Sequence, residues 1–248
     1  MPPASQGVFL PSRICYPPRM LQTLRYRSVV RWLTAVSGLH RGRVLDLGCG
    51  DGALVRYLRH GGWDAFGVDP GWAGGGAPEY CVAGLAELDR AQPAAFDIAV
   101  SNFSLEHCDD PVRALGEWSR RLRPGGWLFV RVPNRTAVER AGRLGRFQSS
   151  RPGHAAVFGP DSLRRVLAQA GFDPVRLATP LCTTAALTPP CSLFPGLDPM
   201  RPRSAPAAAA NVLLLGLLSG LFLPYTMARC RSGRGFVLAA SGRKGSAS

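Results

Sequence analysis

The sequence predicts a doubly wound α/β fold on a mostly parallel sheet. Three observations carry that expectation. Apolar runs and helical patterns alternate about every 25 residues. The first apolar run passes through a glycine turn straight into a helix, and the first two runs each carry an acid at the carboxyl end. With 248 residues, 46% of them hydrophobic and no internal repeat, the chain can bury one sizeable core.

The elements follow in order. Leu21 to Leu39 reads as a helix ahead of the first strand. Val44-Leu45-Asp46-Leu47 is an apolar strand that enters the turn Gly48-Cys49-Gly50-Asp51-Gly52. Ala53 to Arg59 has helical spacing and stops at Gly61-Gly62. Trp63 to Asp69 is a second buried strand, Gly71 to Pro78 a glycine-rich loop, and Tyr80 to Ala83 a short third strand. Phe96 to Asn102 is a strand with a polar end. Asp109-Asp110-Pro111 opens a helix with acids at its positive end and proline in its first turn, and this helix runs to Leu122. Arg123-Pro124-Gly125-Gly126 stops it, and Trp127 to Asn134 is the next strand. Pro160-Asp161-Ser162 starts a helix that Gly171 closes before the strand Phe172 to Ala178.

The spacing Gly48-x-Gly50-x-x-Ala53 fits a dinucleotide fingerprint, in which backbone N–H groups cradle a pyrophosphate. Asp46 sets its charge against that ligand. A carboxylate at the end of the strand suits a cationic ligand such as S-adenosylmethionine, which carries a sulfonium and an ammonium. Asp69 lies 19 residues beyond Gly50, where an open α/β sheet binds a ribose through one carboxylate. A nicotinamide-dependent oxidoreductase is therefore the lesser reading of the same turn.

The formal net charge is +14, and Lys244 is the single lysine among 30 basic residues. Such a surface is either a solvated arginine-biased one or an attractor of phosphate-rich or anionic-lipid partners. No nucleic-acid partner is expected, since no zinc-finger spacing or RNA-recognition motif is present. Seven cysteines at positions 15, 49, 81, 108, 182, 191 and 230 include no CxxC pair, so neither a metal site nor a disulfide framework is expected. Cys49 is read as the small side chain that the turn requires. The first 20 residues hold five prolines and no apolar stretch of the secretory kind, which points to the cytoplasm. Arg13, Arg19, Arg25, Arg27 and Arg31, with no acid before Asp46, leave a mitochondrial presequence as the lesser reading.

Taken together, Val44 to Gly52, Gly67-Val68-Asp69, Phe96-Asp97, Ser104-Leu105-Glu106-His107 and Leu122 to Leu128 resemble the class I S-adenosylmethionine-dependent methyltransferases, within the group that includes the quinone-biosynthesis enzymes. The resemblance implies a seven-stranded sheet whose last strand, Gly235 to Ser241, inserts antiparallel. It also implies that Asp46, Gly48, Cys49 and Gly50 surround the methionine part of S-adenosylmethionine. Asp69 would bind the ribose, Ala86 with neighbouring backbone would meet the adenine, and Asn102 and Leu105 would close the other side. Many relatives carry an aspartate where this chain has Gly84, so adenine recognition here would rest on backbone and apolar contacts.

The expected organisation is an N-terminal helical segment (1–40), the cofactor-binding core (41–180), an apolar insertion (181–234), and a final strand with its tail (235–248). Within the insertion, Ala207 to Ala228 is 22 residues without a charge. A single crossing of a membrane would strand the last strand on the wrong side. The expected form is a hydrophobic helix or short hairpin, either lying on one leaflet through residues 205–228 on the inner face of a membrane, or buried against the domain or a partner subunit. Arg201, Arg203, Arg229, Arg231 and Arg234 flank it. The expected acceptor is a small or lipid-borne molecule, methylated on oxygen or carbon. His107 and His154 are the candidate bases. A membrane-associated S-adenosylmethionine-binding scaffold without turnover is the alternative.

Overall fold

The computed structural model describes residues 19–72, 80–91, 96–149, 154–198 and 205–245. Arg13, Arg201, Arg203 and most of the glycine-rich loop lie outside them. Helix α1 (Arg19–Ser37) leads into β1 (Arg43–Leu47), α2 (Ala53–His60), β2 (Asp64–Val68), the two-residue β3 (Cys81–Val82) and α3 (Leu85–Ala91). Then come β4 (Phe96–Asn102), α4 (Pro111–Arg121), β5 (Leu122–Pro133) and the short helices α5 (Arg135–Arg140) and α6 (Arg146–Ser149). Helix α7 (Pro160–Gln169), β6 (Phe172–Ala178), α8 (Thr183–Leu193), α9 (Ala205–Arg231) and β7 (Val237–Lys244) complete the chain.

The seven strands form one sheet in the order β3-β2-β1-β4-β5-β7-β6. All are parallel except β7, which runs antiparallel between β5 and β6 as expected. Strand order reverses between β1 and β4, and an open α/β sheet leaves a crevice there at the carboxyl ends.

Each face of the sheet is covered because the strands are apolar on both sides. Val44, Ile98, Val100 and Phe129 share one core with Val29 and Leu33 of α1 and with Leu54, Val55 and Leu58 of α2. Leu45, Leu47, Ala99, Leu128 and Val130 share the other with Leu115 and Trp118 of α4 and Leu163 and Leu167 of α7. Local chemistry sets the helix ends. Asp110 caps α4 by accepting from the Arg113 N–H at 2.9 Å, next to the proline that opens the helix.

Three features depart from the sequence expectation. Strand β5 already pairs at Leu122, opposite Phe96, and the Arg123–Gly126 stop is an irregularity within it rather than a loop before it. The proline-bearing stretch after β6 contains a helix, α8, with Pro189 and Pro190 inside it. The apolar segment is one continuous 27-residue helix, so the hairpin alternative is corrected, although Pro224 lies within it.

Both ends of the insertion return to one place, because Ala178 at the end of β6 is paired with Ala239 near the start of β7. The Thr179 hydroxyl donates to the Cys230 carbonyl at 2.9 Å, and Arg229 donates to the Ala137 carbonyl at 2.8 Å while lying 4.9 Å above the Phe236 ring. Helix α9 is thereby fixed at its carboxyl end beside β6 and β7, at the same end of the sheet as the crevice between β1 and β4.

Candidate functional site

The crevice is built around the glycine turn after β1. The Gly48 and Cys49 N–H groups both donate to the Val68 carbonyl, at 2.7 and 3.2 Å, which ties the turn to the end of β2. Gly48, Gly50 and Gly52 have φ of 80°, 56° and 70°, conformations that side chains resist. A Cβ on Gly48 would stand 2.3 Å from the Ser104 Cβ. Ser104 reaches that place because Phe103, with φ 63°, is the non-glycine residue in a left-handed conformation among the described residues. It donates to the Leu47 carbonyl at 2.5 Å and shares a 2.7 Å hydrogen bond with Ser101.

Asp46 is buried at the end of β1, on the face that it shares with Val44. Burial pushes its carboxyl up to about 7; the nearby Arg25 guanidinium opposes this, and Asp69 and Asp51 add to it. Among the described residues no guanidinium closes an ion pair with it. A buried acid with a raised pKa at the end of a strand is a candidate site residue, and its charged form would be favoured by a cation.

Asp69 is also buried and is already engaged with the backbone. One carboxylate oxygen accepts from the Gly50 N–H at 2.8 Å and the other from the Gly71 N–H at 2.8 Å. A carboxylate has about four lone-pair sites, so two remain for ligand hydroxyls. Cys49 packs against β2, where a Cβ on Gly67 would stand 2.7 Å from its Sγ. Its thiol hydrogen-bonds with Cys81, and that contact together with burial raises its pKa, which removes it as a nucleophile.

Asn102 ends β4 on the same face as Ile98 and Val100, and its buried Oδ1 has no hydrogen-bond partner among the described residues. An orphaned acceptor beside the crevice suits a ligand donor. Ala86 is exposed in the first turn of α3, after Gly84, where a Cβ would meet nothing within 4 Å. Leu105 is fully buried in the core that contains Leu47 and Leu115, so its backbone is what it offers to the crevice.

His107 and His154 come together: their rings lie 5.0 Å apart, edge to face. The Ala156 N–H donates to the Glu106 carbonyl at 2.9 Å, which anchors the second histidine's loop on the first. Buried Glu106 joins the pair, and one ligand atom from each of the three falls within 4.8 Å of the others. Two histidines and a carboxylate are a donor set that could hold a divalent transition metal. Sequence spacing missed this set, because 47 residues separate the histidines and only the fold unites them.

Two arginines also escaped the sequence reading. Arg25 of α1 lies 5.6 Å above the Phe103 ring, and its charge reaches Asp46. Arg131 interrupts the apolar run Phe129-Val130-Arg131-Val132 of β5, is 4% exposed, and sits 5.0 Å above the Trp32 ring. A charge inside a buried strand was the signal in its case.

Comparison with known proteins assigns this arrangement to a family. A family profile described as "Methyltransferase domain" matches residues 21–177. The chain belongs to the methyltransferase-domain family. The methyltransferase domain runs from α1 almost to the end of β6, leaving α8, α9 and β7 outside the match. The ubiquinone biosynthesis O-methyltransferase of Thiobacillus denitrificans is 29% identical over 119 residues, 44% of this chain and 51% of that protein. Its namesake from Bordetella avium is 31% identical over 118 residues, 43% of this chain and 49% of that protein. The chain thus spans about half the length of the curated relatives it matches.

Solved methyltransferases share the fold. The putative methyltransferase in complex with the Trm112 methyltransferase activator of Haloferax volcanii superposes with a TM-score of 0.58 at 17% identity, over 92% of both chains. A SAM-dependent methyltransferase from Archaeoglobus fulgidus gives 0.53 at 19%, over 91% of this chain and 98% of that one.

Proposed function

We propose that this chain is an S-adenosylmethionine-dependent methyltransferase acting on a small or lipid-borne acceptor, by O- or C-methylation. The observation that carries the reading is Asp46, a buried carboxyl held near neutral pH beside a glycine turn whose amides are already tied down. A cation in the crevice would draw that group into its charged form, whereas a pyrophosphate would add to its repulsion from Asp69. When bound, S-adenosylmethionine supplies an electrophilic methyl on a positive sulfur.

The chain's own residues have separable tasks in this reading. Asp46 meets the positive charge, and Gly48 and Gly50 keep side chains out of the approach. Asp69 offers its two remaining lone-pair sites to the ribose hydroxyls, and Asn102 accepts through Oδ1. Ala86 and the backbone near Gly84 border the adenine, and Leu105 closes the far side through its main chain. In-line displacement gains most from positioning, so a rigid crevice supplies much of the rate. His107 or His154 takes the acceptor's proton when the nucleophile is a hydroxyl.

Helix α9 supports the lipid-borne acceptor. Leu213, Leu217 and Leu221 are 72%, 75% and 73% exposed and stand four residues apart along one face, while Asn211 and Leu215 are turned inward. Residues 209–231 are long and apolar enough to span a bilayer, but the return of the chain to β7 favours an in-plane helix on one leaflet. Arg229, Arg231 and Arg234 at its carboxyl end suit anionic headgroups. We place the protein in the cytoplasm, on the inner face of a membrane.

Incubation with methyl-labelled S-adenosylmethionine and a lipid extract from the source cells tests the reading. Label in an extractable lipid is the expected result. Cofactor binding without label in any species would point to the scaffold alternative, and absence of binding to S-adenosylmethionine or its demethylated product would overturn both.

A further inference from the structure

Arg131 is a buried guanidinium with which no acid pairs among the described residues. Its Cα partners across the sheet are Asn102 of β4 and Ala239 of β7, and Ala239 pairs in turn with Ala178 of β6. Two alanines in the row beyond the arginine leave space above the sheet, and helix α1 roofs it. The result is a cleft of about 400 Å³, lined by Leu24, Trp32 and Leu181 and by Arg27, Arg31 and Arg131.

The guanidinium has five N–H donors, and its hydrogen bonds to described residues are two long ones, from Nη1 to the Ser28 hydroxyl at 3.3 Å and from Nη2 to the Ser28 carbonyl at 3.5 Å. Its buried Nε has no hydrogen-bond partner among the described residues. Of the 16 acidic side chains, all but Glu79 are described, and none of those pairs with it. An uncompensated buried charge is strongly destabilising. Trp32 holds the guanidinium plane from one side, which leaves its free edge for an incoming acceptor. Arg27 and Arg31, one helical turn apart on α1, stand at the exposed mouth and form no ion pair among the described residues. Leu24 and Leu181, 52% and 44% exposed, form an apolar rim.

We propose that this cleft binds a phosphate group carried on an apolar body, with Arg131 as the buried anchor and Arg27 and Arg31 completing the charge. Three guanidinium groups match a dianionic phosphate better than a single carboxylate, and their planar forks favour bidentate contact. The apolar rim receives the rest of the ligand. Because Asn102 at the crevice and Arg131 at the cleft are direct strand partners, the ligand is assigned as the acceptor of the reaction proposed above, and to that extent the inference rests on that reading.

The test titrates the full chain calorimetrically with dodecyl phosphate below its micelle concentration and with inorganic phosphate, and titrates S-adenosylhomocysteine separately. Saturable binding of dodecyl phosphate is expected, with inorganic phosphate weaker by about tenfold or more. R131M should weaken dodecyl phosphate by roughly tenfold to a hundredfold, the range for losing a charged hydrogen-bonded pair. The unliganded R131M protein should melt above the wild type, since an uncompensated charge has gone. Sedimentation with phosphatidylcholine vesicles, with and without phosphatidic acid, separates the sources: a gain from phosphatidic acid that dodecyl phosphate competes away identifies a lipid headgroup, and no gain identifies a free amphiphile. Failure to bind dodecyl phosphate, equal binding of inorganic phosphate, or unchanged affinity in R131M would overturn the proposal. So would a lower melting point of R131M with ligand affinity retained, which would make Arg131 a structural prop. Loss of S-adenosylhomocysteine binding with the cleft intact would strike the methyltransferase reading instead.

Discussion

The Asp69 carboxylate accepts a hydrogen bond from the Gly50 N–H at 2.8 Å, so the acid at the end of β2 holds the glycine turn at the end of β1. The two parts of the crevice are one mechanical unit. Removing the acid therefore affects the turn as well as the ligand.

Asp69→Ala leaves the Gly50 and Gly71 amides without their acceptor. The expected cost is roughly 2–4 kcal/mol of folding stability, together with a large loss of affinity for S-adenosylhomocysteine. Chemical denaturation and calorimetry measure the two effects. Loss of affinity with unchanged stability would show that the turn holds its shape without Asp69.

Asp46 links stability to pH. Its carboxyl is raised from 3.8 to about 7, so the folded state keeps a proton that the unfolded chain gives up. The stabilisation is full below pH 3.8 and is lost as pH rises through about 7. Asp46→Asn stays neutral throughout, so its melting temperature should rise above that of the wild type across this window and level off beyond it. Binding of S-adenosylmethionine has the opposite trend: wild-type affinity should strengthen as pH rises towards about 7, whereas the asparagine variant should bind weakly and without that dependence. Parallel melting curves of the two proteins across this pH range would contradict the burial argument.

Gly48→Ala places a Cβ 2.3 Å from Ser104 at a φ of 80°. Strain and overpacking together should cost roughly 2–5 kcal/mol. Ser104→Gly in the same chain removes the clash but not the strain, so the double variant should recover part of the loss. A double-mutant cycle with no coupling would show that the two residues do not meet as described.

Replacing Leu213, Leu217 and Leu221 by glutamine removes an apolar stripe that solvent already touches. Folding stability should change by less than about 1 kcal/mol. Sedimentation with anionic vesicles should fall to background. A marked drop in melting temperature would instead indicate that α9 is packed against a second copy or another protein.

Most of the fold was legible because strand and helix write different periods into the chain. The strand Phe96–Asn102 and the helix start at Pro111 coincide with the sequence reading, since an apolar run and a capped, proline-led first turn are local signals. Helices α5, α6 and α8 were not legible. They are short or carry Pro189 and Pro190, and packing against neighbours rather than intrinsic propensity holds them. The irregular start of β5 was hidden for the same reason, because Gly125 and Gly126 look like a loop until Leu122 is seen paired with Phe96.

By itself the sequence determined the alternating α/β plan, the glycine turn after β1, and the two acids at successive strand ends, all of which follow from side-chain period, backbone freedom and charge within a few residues. The tertiary structure alone decided what depends on residues distant in the chain. It gave Asp46 its near-neutral proton through burial and brought His154 to His107. It seated Arg131 beneath α1 with no counter-charge among the described residues and left the leucine stripe of α9 facing outward. A residue's identity is local, but its solvation and its neighbours belong to the packed whole.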